Sequence, residues 1–360
     1  MTAFGFARLL LLSAIWGGSF LFIRITAVDI SPAWLILMRV GLAAGVLAAA
    51  AVLLRKPLPV AGQGRHYLFL GLFGAALPFM LFAFAAQTLT ASMLSILNAT
   101  APLWAALLAA VLGAVYTTPI KWLGMGVGLC GVAWLAGVDA IDWAVGYGWA
   151  MLAGLLAPIS YGVATHYLSR TPGQSAFANA HGSMWAAALL LLPLAAVSPM
   201  PGALPWMPTG LSVVALGVLC SGVAYLIYFG LITEFGATSA LTVTLLTPMF
   251  GTLWGVWILN EPVGWRTAVG GALVLLGTAL TVGRPAGTGR RLSPVTTQQR
   301  DSLHLACGDY AGDHGRSQNS TNRHQRPTDR DFDPINNQHL GANKHQNHAQ
   351  AVGKQMETLF

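Results

Sequence analysis

The chain has 360 residues, 55% of them hydrophobic and only 9% charged, and it carries a formal net charge of +7 at pH 7. Charge this sparse cannot cover a soluble surface of that size, so a bilayer has to cover most of the molecule. More than half of the basic residues, from Arg284 to Lys354, lie beyond the last apolar run, so the positive balance belongs to a polar tail and gives no reason to expect a nucleic-acid partner.

Ten apolar runs follow one another at roughly 6 to 27, 32 to 54, 66 to 86, 91 to 114, 120 to 138, 146 to 167, 175 to 197, 210 to 232, 237 to 259 and 265 to 283. About 20 apolar residues at 1.5 Å of rise cross a hydrocarbon core of about 30 Å. A spanning segment must satisfy its backbone internally, and these runs are too long for barrel strands. The expected fold is therefore an all-α integral membrane protein of ten transmembrane helices in a lipid bilayer. The first run has Arg8 as its only preceding charge and lacks a small-residue cleavage site, so it reads as a retained helix and not a signal peptide. Cys130 and Cys220 lie inside apolar runs and Cys307 in the tail, a spacing that fits neither a metal site nor a disulfide framework.

The runs repeat. Sliding the chain by 146 positions lays Ala91, Pro102, Gly124 and Gly131 on Ala237, Pro248, Gly270 and Gly277, and Gly71 on Gly217. Shared spacing of Pro, Gly and hydrophobic runs with weak identity is the usual form of membrane repeats. Residues 1 to 143 form the first five-helix repeat and 144 to 284 the second. Five is odd, so the second enters the membrane in the opposite sense, and inverted repeats around a midplane site are the usual construction of an alternating-access carrier. Arg8, Arg55, Lys56, Arg65, Lys121, Arg170 and Arg284 fall on one side, while Asp29, Asp139, Asp142, Glu261 and a single Arg266 fall on the other. The positive-inside rule then puts both termini in the cytoplasm. Residues 285 to 360 are rich in Gln, Asn, His, Arg and Gly without hydrophobic periodicity and are expected to be a disordered cytoplasmic tail.

Within the spans, Pro102 deprives the Asn98 carbonyl of its helical donor and Pro248 does the same to Thr244, each about eleven residues in and hence roughly 16 Å deep. The pair reads as two symmetry-related binding patches or, more plainly, as kinks repaired by neighbouring helices. Arg39 lies about seven residues into the second span, where it either grips an anionic group, closes an outer gate on a carbonyl, or snorkels outward. An overlay of 140 makes Asn179 its repeat mate. Arg24, nearer a helix end, reads as an interfacial anchor. His181 is the only His well inside a span and is either a proton site or a packing residue. Trp16, Tyr161 and Tyr225 can line an amphipathic cavity or face lipid. Gly41-x-x-x-Gly45, Gly124-x-x-x-Gly128 and Gly251-x-x-x-Gly255 serve close packing within the chain first and a homodimer second. Nucleotide-binding, hydrolase and metalloprotease motifs are absent from the sequence, and no Asp or Glu occupies the middle of a span.

The opening Ala14-Ile15-Trp16-Gly17-Gly18-Ser19-Phe20, the Pro32 to Arg39 start of the second helix, Asn98 to Pro102, Thr247-Pro248 and the Asn260-Glu261-Pro262 break together resemble the EamA family of the drug/metabolite transporter superfamily, bacterial inner-membrane carriers with two five-helix repeats. The resemblance covers about residues 6 to 283. Members usually carry an acidic residue at the helix-four to helix-five break, where this chain has Ala114-Val115-Tyr116. What the resemblance implies is export or exchange of a small metabolite, amino acid or drug-like solute, without a cofactor, through a cavity lined by helices 1, 3, 4, 6, 8 and 9. The expected substrate-binding set is Trp16, Ser19, Arg39, Asn98, Pro102, Tyr161, Tyr225, Thr244, Thr247 and Pro248, with His181 as the proton-site candidate and no catalytic or metal-binding residue. A membrane-embedded enzyme or lipid-handling protein is the alternative. A channel is disfavoured, since no ring of charges or filter-like repeat is present.

Overall fold

A computed structural model describes residues 2–56, 58–112, 118–137, 146–171, 173–202, 206–235 and 242–282. The expected tail, the Ala114-Val115-Tyr116 departure and the segment 236–241 lie outside the described residues. Ten helices are long and apolar enough to cross a membrane: α1 (Ala3–Thr26), α2 (Pro32–Leu53), α3 (Gly64–Ala85), α4 (Ala91–Val111), α5 (Pro119–Ala136), α6 (Tyr147–Arg170), α7 (Ala176–Val197), α8 (Met207–Ile232), α9 (Thr242–Leu259) and α10 (Trp265–Val282). Among the described residues there is no strand. Local chemistry sets the ends. The hydroxyls of Thr2, Thr90 and Ser175 accept from the backbone N–H three residues on and cap α1, α4 and α7. Proline occupies the first turn of α2 and α5, and Gly137 ends α5 in the left-handed region at φ 58°.

The closest helix partners mostly come from opposite repeats: α5 packs on α10, α1 on α9, α2 on α7 and α8, α3 on α6 and α7, and α4 on α6 and α9. Small residues let the backbones approach, which in lipid is the main source of helix association. A Cβ added at Gly124 would sit 2.8 Å from the Gly277 carbonyl, and one at Gly131 would sit 2.9 Å from the Gly270 carbonyl. The partner index falls as the first index rises, so α5 and α10 run antiparallel. Since Gly124 and Gly270 are repeat mates, as are Gly131 and Gly277, exchanging the repeats converts one contact into the other. That reciprocity is what a two-fold axis between inverted repeats requires.

A second reciprocal pair corrects the repeat mate of Arg39. A Cβ at Gly71 would meet the Ser183 carbonyl at 3.0 Å, and one at its mate Gly217 would meet the Arg39 carbonyl at 3.0 Å. Packing therefore equates Arg39 with Ser183, not with Asn179 one helical turn earlier. At each of these glycines the helix widens into a π segment, Leu72–Ala76 directly after Gly71 in α3 and Ala215–Val223 around Gly217 in α8. Of the three Gly-x-x-x-Gly pairs, Gly124 and Gly128 lie against α10 and α4, and Gly251 and Gly255 against Ser95 and Ser92 of α4, whereas nothing lies within 4 Å of a Cβ added at Gly41 or Gly45.

Candidate functional site

The two prolines act differently. Pro102 breaks α4 into Ala91–Asn98 and Ala101–Val111, with the turn at Ala99 and Thr100 between them. Thr278 of α10 donates its hydroxyl to the Ala99 carbonyl at 2.9 Å, so a neighbouring helix satisfies part of the break. Pro248 instead lies inside a continuous α9. In both cases the residue four positions earlier, Asn98 or Thr244, keeps a carbonyl without its helical N–H.

Both patches open onto one cavity of about 290 Å³. Of the expected set, Trp16, Ser19, Arg39, Asn98, Pro102, Tyr161, Tyr225, Thr244 and Thr247 line it. Pro248 is buried but is not among the lining residues. Helices 1, 3, 4, 6, 8 and 9 contribute as expected, and α2 and α7 join them through Arg39 and through Asn179, Ala180 and Ser183. Ser19 donates to the Trp16 carbonyl at 2.8 Å and Thr247 to the Val243 carbonyl at 2.8 Å, so each hydroxyl presents lone pairs to the cavity. The aromatic wall is built by Trp16 against Tyr228 at 5.2 Å and Tyr225 at 6.3 Å, and by Phe82 against Phe20 at 5.5 Å.

Arg39 does not snorkel. It is 5% exposed, its Nε donates to Ser221 Oγ at 3.0 Å, and its guanidinium carbon lies 3.8 Å above the centre of the Phe79 ring. Ser221 comes from the π segment of α8 and Phe79 from α3, so three helices hold it. Among the described residues the single ion pair is Arg8 with Glu234, at 2.7 Å, and no carboxylate reaches Arg39.

The two ends of the cavity differ. Thr171 and Gln174, at the connection between α6 and α7, line it, so it reaches the surface there. Near that mouth His66 bonds Asn179 Oδ1 through Nε2 at 2.9 Å and Tyr167 through Nδ1 at 3.3 Å, tying α3 to α6 and α7. The opposite end is held shut. Arg24, near the end of its helix, donates to the Ala86 carbonyl and so ties α1 to the end of α3. Thr209 donates to Asp29, and Glu261 accepts from the N–H groups of Ala91 at 2.8 Å and Ser92 at 3.3 Å and from Ser92 Oγ at 3.2 Å. Glu261 thus caps the N-terminus of α4 from the loop between α9 and α10, where a carboxylate meets free backbone N–H groups and the positive end of the helix dipole.

His181 is 5% exposed and does not line the cavity; its Nε2 accepts from Trp185 Nε1 at 3.1 Å. It is not the only buried histidine, since His66 is 8% exposed. In the sequence His66 opens its apolar run, where an end position reads as solvated; in the fold Asn179 and Tyr167 of the other repeat lie against it. Asn179 and Ser183, four apart on one face of α7, were visible as a polar pair in an apolar run. Ser221 carried no such signal.

The EamA-like transporter family matches residues 3–137 and 148–283, one repeat each. An uncharacterized transporter of Archaeoglobus fulgidus is 27% identical over 280 residues, covering 75% of this chain and 94% of that protein. One solved crystal structure superposes with a TM-score of 0.52 at 21% identity, covering 76% of this chain and 94% of its own, a likeness that shows the fold alone.

Proposed function

Because the chain belongs to the EamA-like transporter family, and so is a multi-pass membrane transporter, we propose that it is a secondary carrier of a bacterial cytoplasmic membrane, exporting or exchanging a small metabolite, amino acid or drug-like solute by alternating access. The observation that carries this reading is one central cavity built by both repeats, reaching the surface at one end and tied shut at the other. A carrier needs one site and two gates that are not open together, and inverted repeats supply the two gates from one design. The Lys and Arg asymmetry supports an orientation with both termini in the cytoplasm. The mouth beside Arg170 then faces the cytoplasm, the closed end faces outward, and the solute loads from inside.

Purified full-length protein in proteoliposomes, preloaded in turn with unlabelled amino acids and small organic acids, should accumulate the labelled form of at least one of them by counterflow in a saturable manner, with or without a pH gradient. Leak without saturation would point to a pore and overturn the carrier reading. For orientation, Gly202→Cys in cells should react with an impermeant thiol reagent from outside and Gly62→Cys should not; the reverse pattern would reverse the direction of loading.

A further inference from the structure

Among the residues that line the cavity, Arg39 is the one charged side chain, and neither Asp nor Glu accompanies it. A guanidinium has five N–H donors. One, on Nε, is committed to Ser221, and the flat face rests on Phe79. The terminal nitrogens meet no acceptor among the described residues, and Arg39 is one of the residues that line the cavity, so its fixed guanidinium has donors left over at the cavity wall. An intramembrane charge without a counter-charge marks a ligand site, and the planar guanidinium fork matches a carboxylate.

We propose that the carried solute is a small organic monoanion, a carboxylate with an apolar or aromatic body, whose charge is taken by Arg39. This rests on the carrier reading and names its substrate class. Charge balance decides between the candidates. When the mouth closes, water leaves and the low dielectric penalises any net charge inside. One carboxylate on one guanidinium sums to zero. A dianion leaves one negative charge, a cation makes two positive charges, and a neutral solute leaves Arg39 unpaired. A zwitterion also sums to one positive charge, and its ammonium finds no carboxylate on the wall. Trp16, Phe20, Phe82, Tyr225 and Tyr228 give the apolar body its surface, and Asn98, which has no side-chain partner among the described residues, remains for a second polar group. Arg39 lies about 10 Å along α2 from the closed end of the bundle, counting seven residues from Pro32 at 1.5 Å each. An anion entering at the mouth therefore meets its counter-charge deep in the cavity.

Four probes of similar shape separate the possibilities: benzoate, benzamide, benzylamine and phenyl phosphate, with phenylalanine as the zwitterion. Binding is read by thermal shift and calorimetry on the full-length protein in detergent, and transport by counterflow in proteoliposomes. Benzoate should bind at least tenfold more tightly than any other probe, which is about 1.4 kcal/mol. Arg39→Gln should lose that preference, so that benzoate binds no more tightly than benzamide, and Arg39→Lys should keep part of it. If Arg39→Gln does not fold, Ser221→Ala provides the test, because freeing Nε should weaken benzoate severalfold and leave the ranking of charges intact. Benzamide, benzylamine, phenylalanine or phenyl phosphate binding as well as benzoate to the unsubstituted protein would overturn the proposal, as would no binding of benzoate at millimolar concentration. Counterflow of phenylalanine without benzoate would sink the monoanion assignment and leave the carrier standing, whereas proteoliposomes that move none of the probes and no amino acid would sink the carrier reading itself.

Discussion

Replacing Glu261 by Gln should loosen the closed end of the cavity while leaving its lining untouched. The carboxylate receives Ala91 N–H at 2.8 Å, a short charge-assisted bond, and two longer bonds from Ser92. A hydrogen bond to a charged group contributes about 1.5–3 kcal/mol, and a carboxylate at a helix N-terminus adds about 0.3–1 kcal/mol. Glu261 is half-buried, so screening places the sum toward the low end. Gln retains one acceptor oxygen and removes the charge, for a loss of about 1–2 kcal/mol, or about fivefold to thirtyfold in the ratio of open to closed at 1.4 kcal/mol per tenfold. Glu261→Ala should go further. Spin labels on Gln87→Cys and Gly264→Cys, in a background without other cysteines, place one probe on each side of this tie. Distance measurements in proteoliposomes should show a long-distance population that grows in the order Glu, Gln, Ala. Identical distributions in all three proteins would mean that the Glu261 contact does not hold the gate.

Asn98→Leu should weaken apparent solute affinity roughly fivefold to a hundredfold, from the about 1–3 kcal/mol that an unsatisfied polar group costs, with Thr244→Val acting in the same direction but less; normal transport by the double variant at normal expression refutes the role. Pro102→Ala should change turnover more than affinity, by mending the break in α4, as steady-state kinetics would read out. His181→Gln should leave gradient-driven accumulation intact and lower thermal stability, since His181 meets Trp185 and not the cavity; abolished accumulation with retained exchange would make it the proton site after all. Gly277→Val should lower stability by about 1–3 kcal/mol in thermal unfolding, because the added Cβ would meet the Gly124 carbonyl at 2.6 Å.

The ten spans were legible because run length and backbone satisfaction in lipid leave few choices, and their boundaries agree with the helices to within a few residues where both are described. Pro102 and Pro248 were legible as freed carbonyls, but whether a helix breaks or merely bends depends on its neighbours: Thr278 supports the break in α4, and α9 stays continuous. The π segments at Gly71 and Gly217 could not be read, because shifting a hydrogen bond by one residue leaves no mark in composition. Arg39 was recognisable as a buried charge, but its fixation was not, since Ser221 and Phe79 come from helices far away in sequence. The overlay that paired Arg39 with Asn179 erred by about one turn because apolar repeats fix register only through their glycines.

Most of the close helix pairs join one half of the chain to the other, and this has a bearing on biosynthesis. Translation at about 5–20 residues per second delivers the second half roughly 7 to 28 seconds after the first. During that interval α5 has no α10 to seat its glycines, Ser92 and Ala91 have no Glu261 carboxylate, and Arg39 lacks Ser221. The first five helices are therefore a nascent intermediate that the insertion machinery must shelter, and a ribosome stalling between the halves would leave a natural substrate for membrane proteolysis.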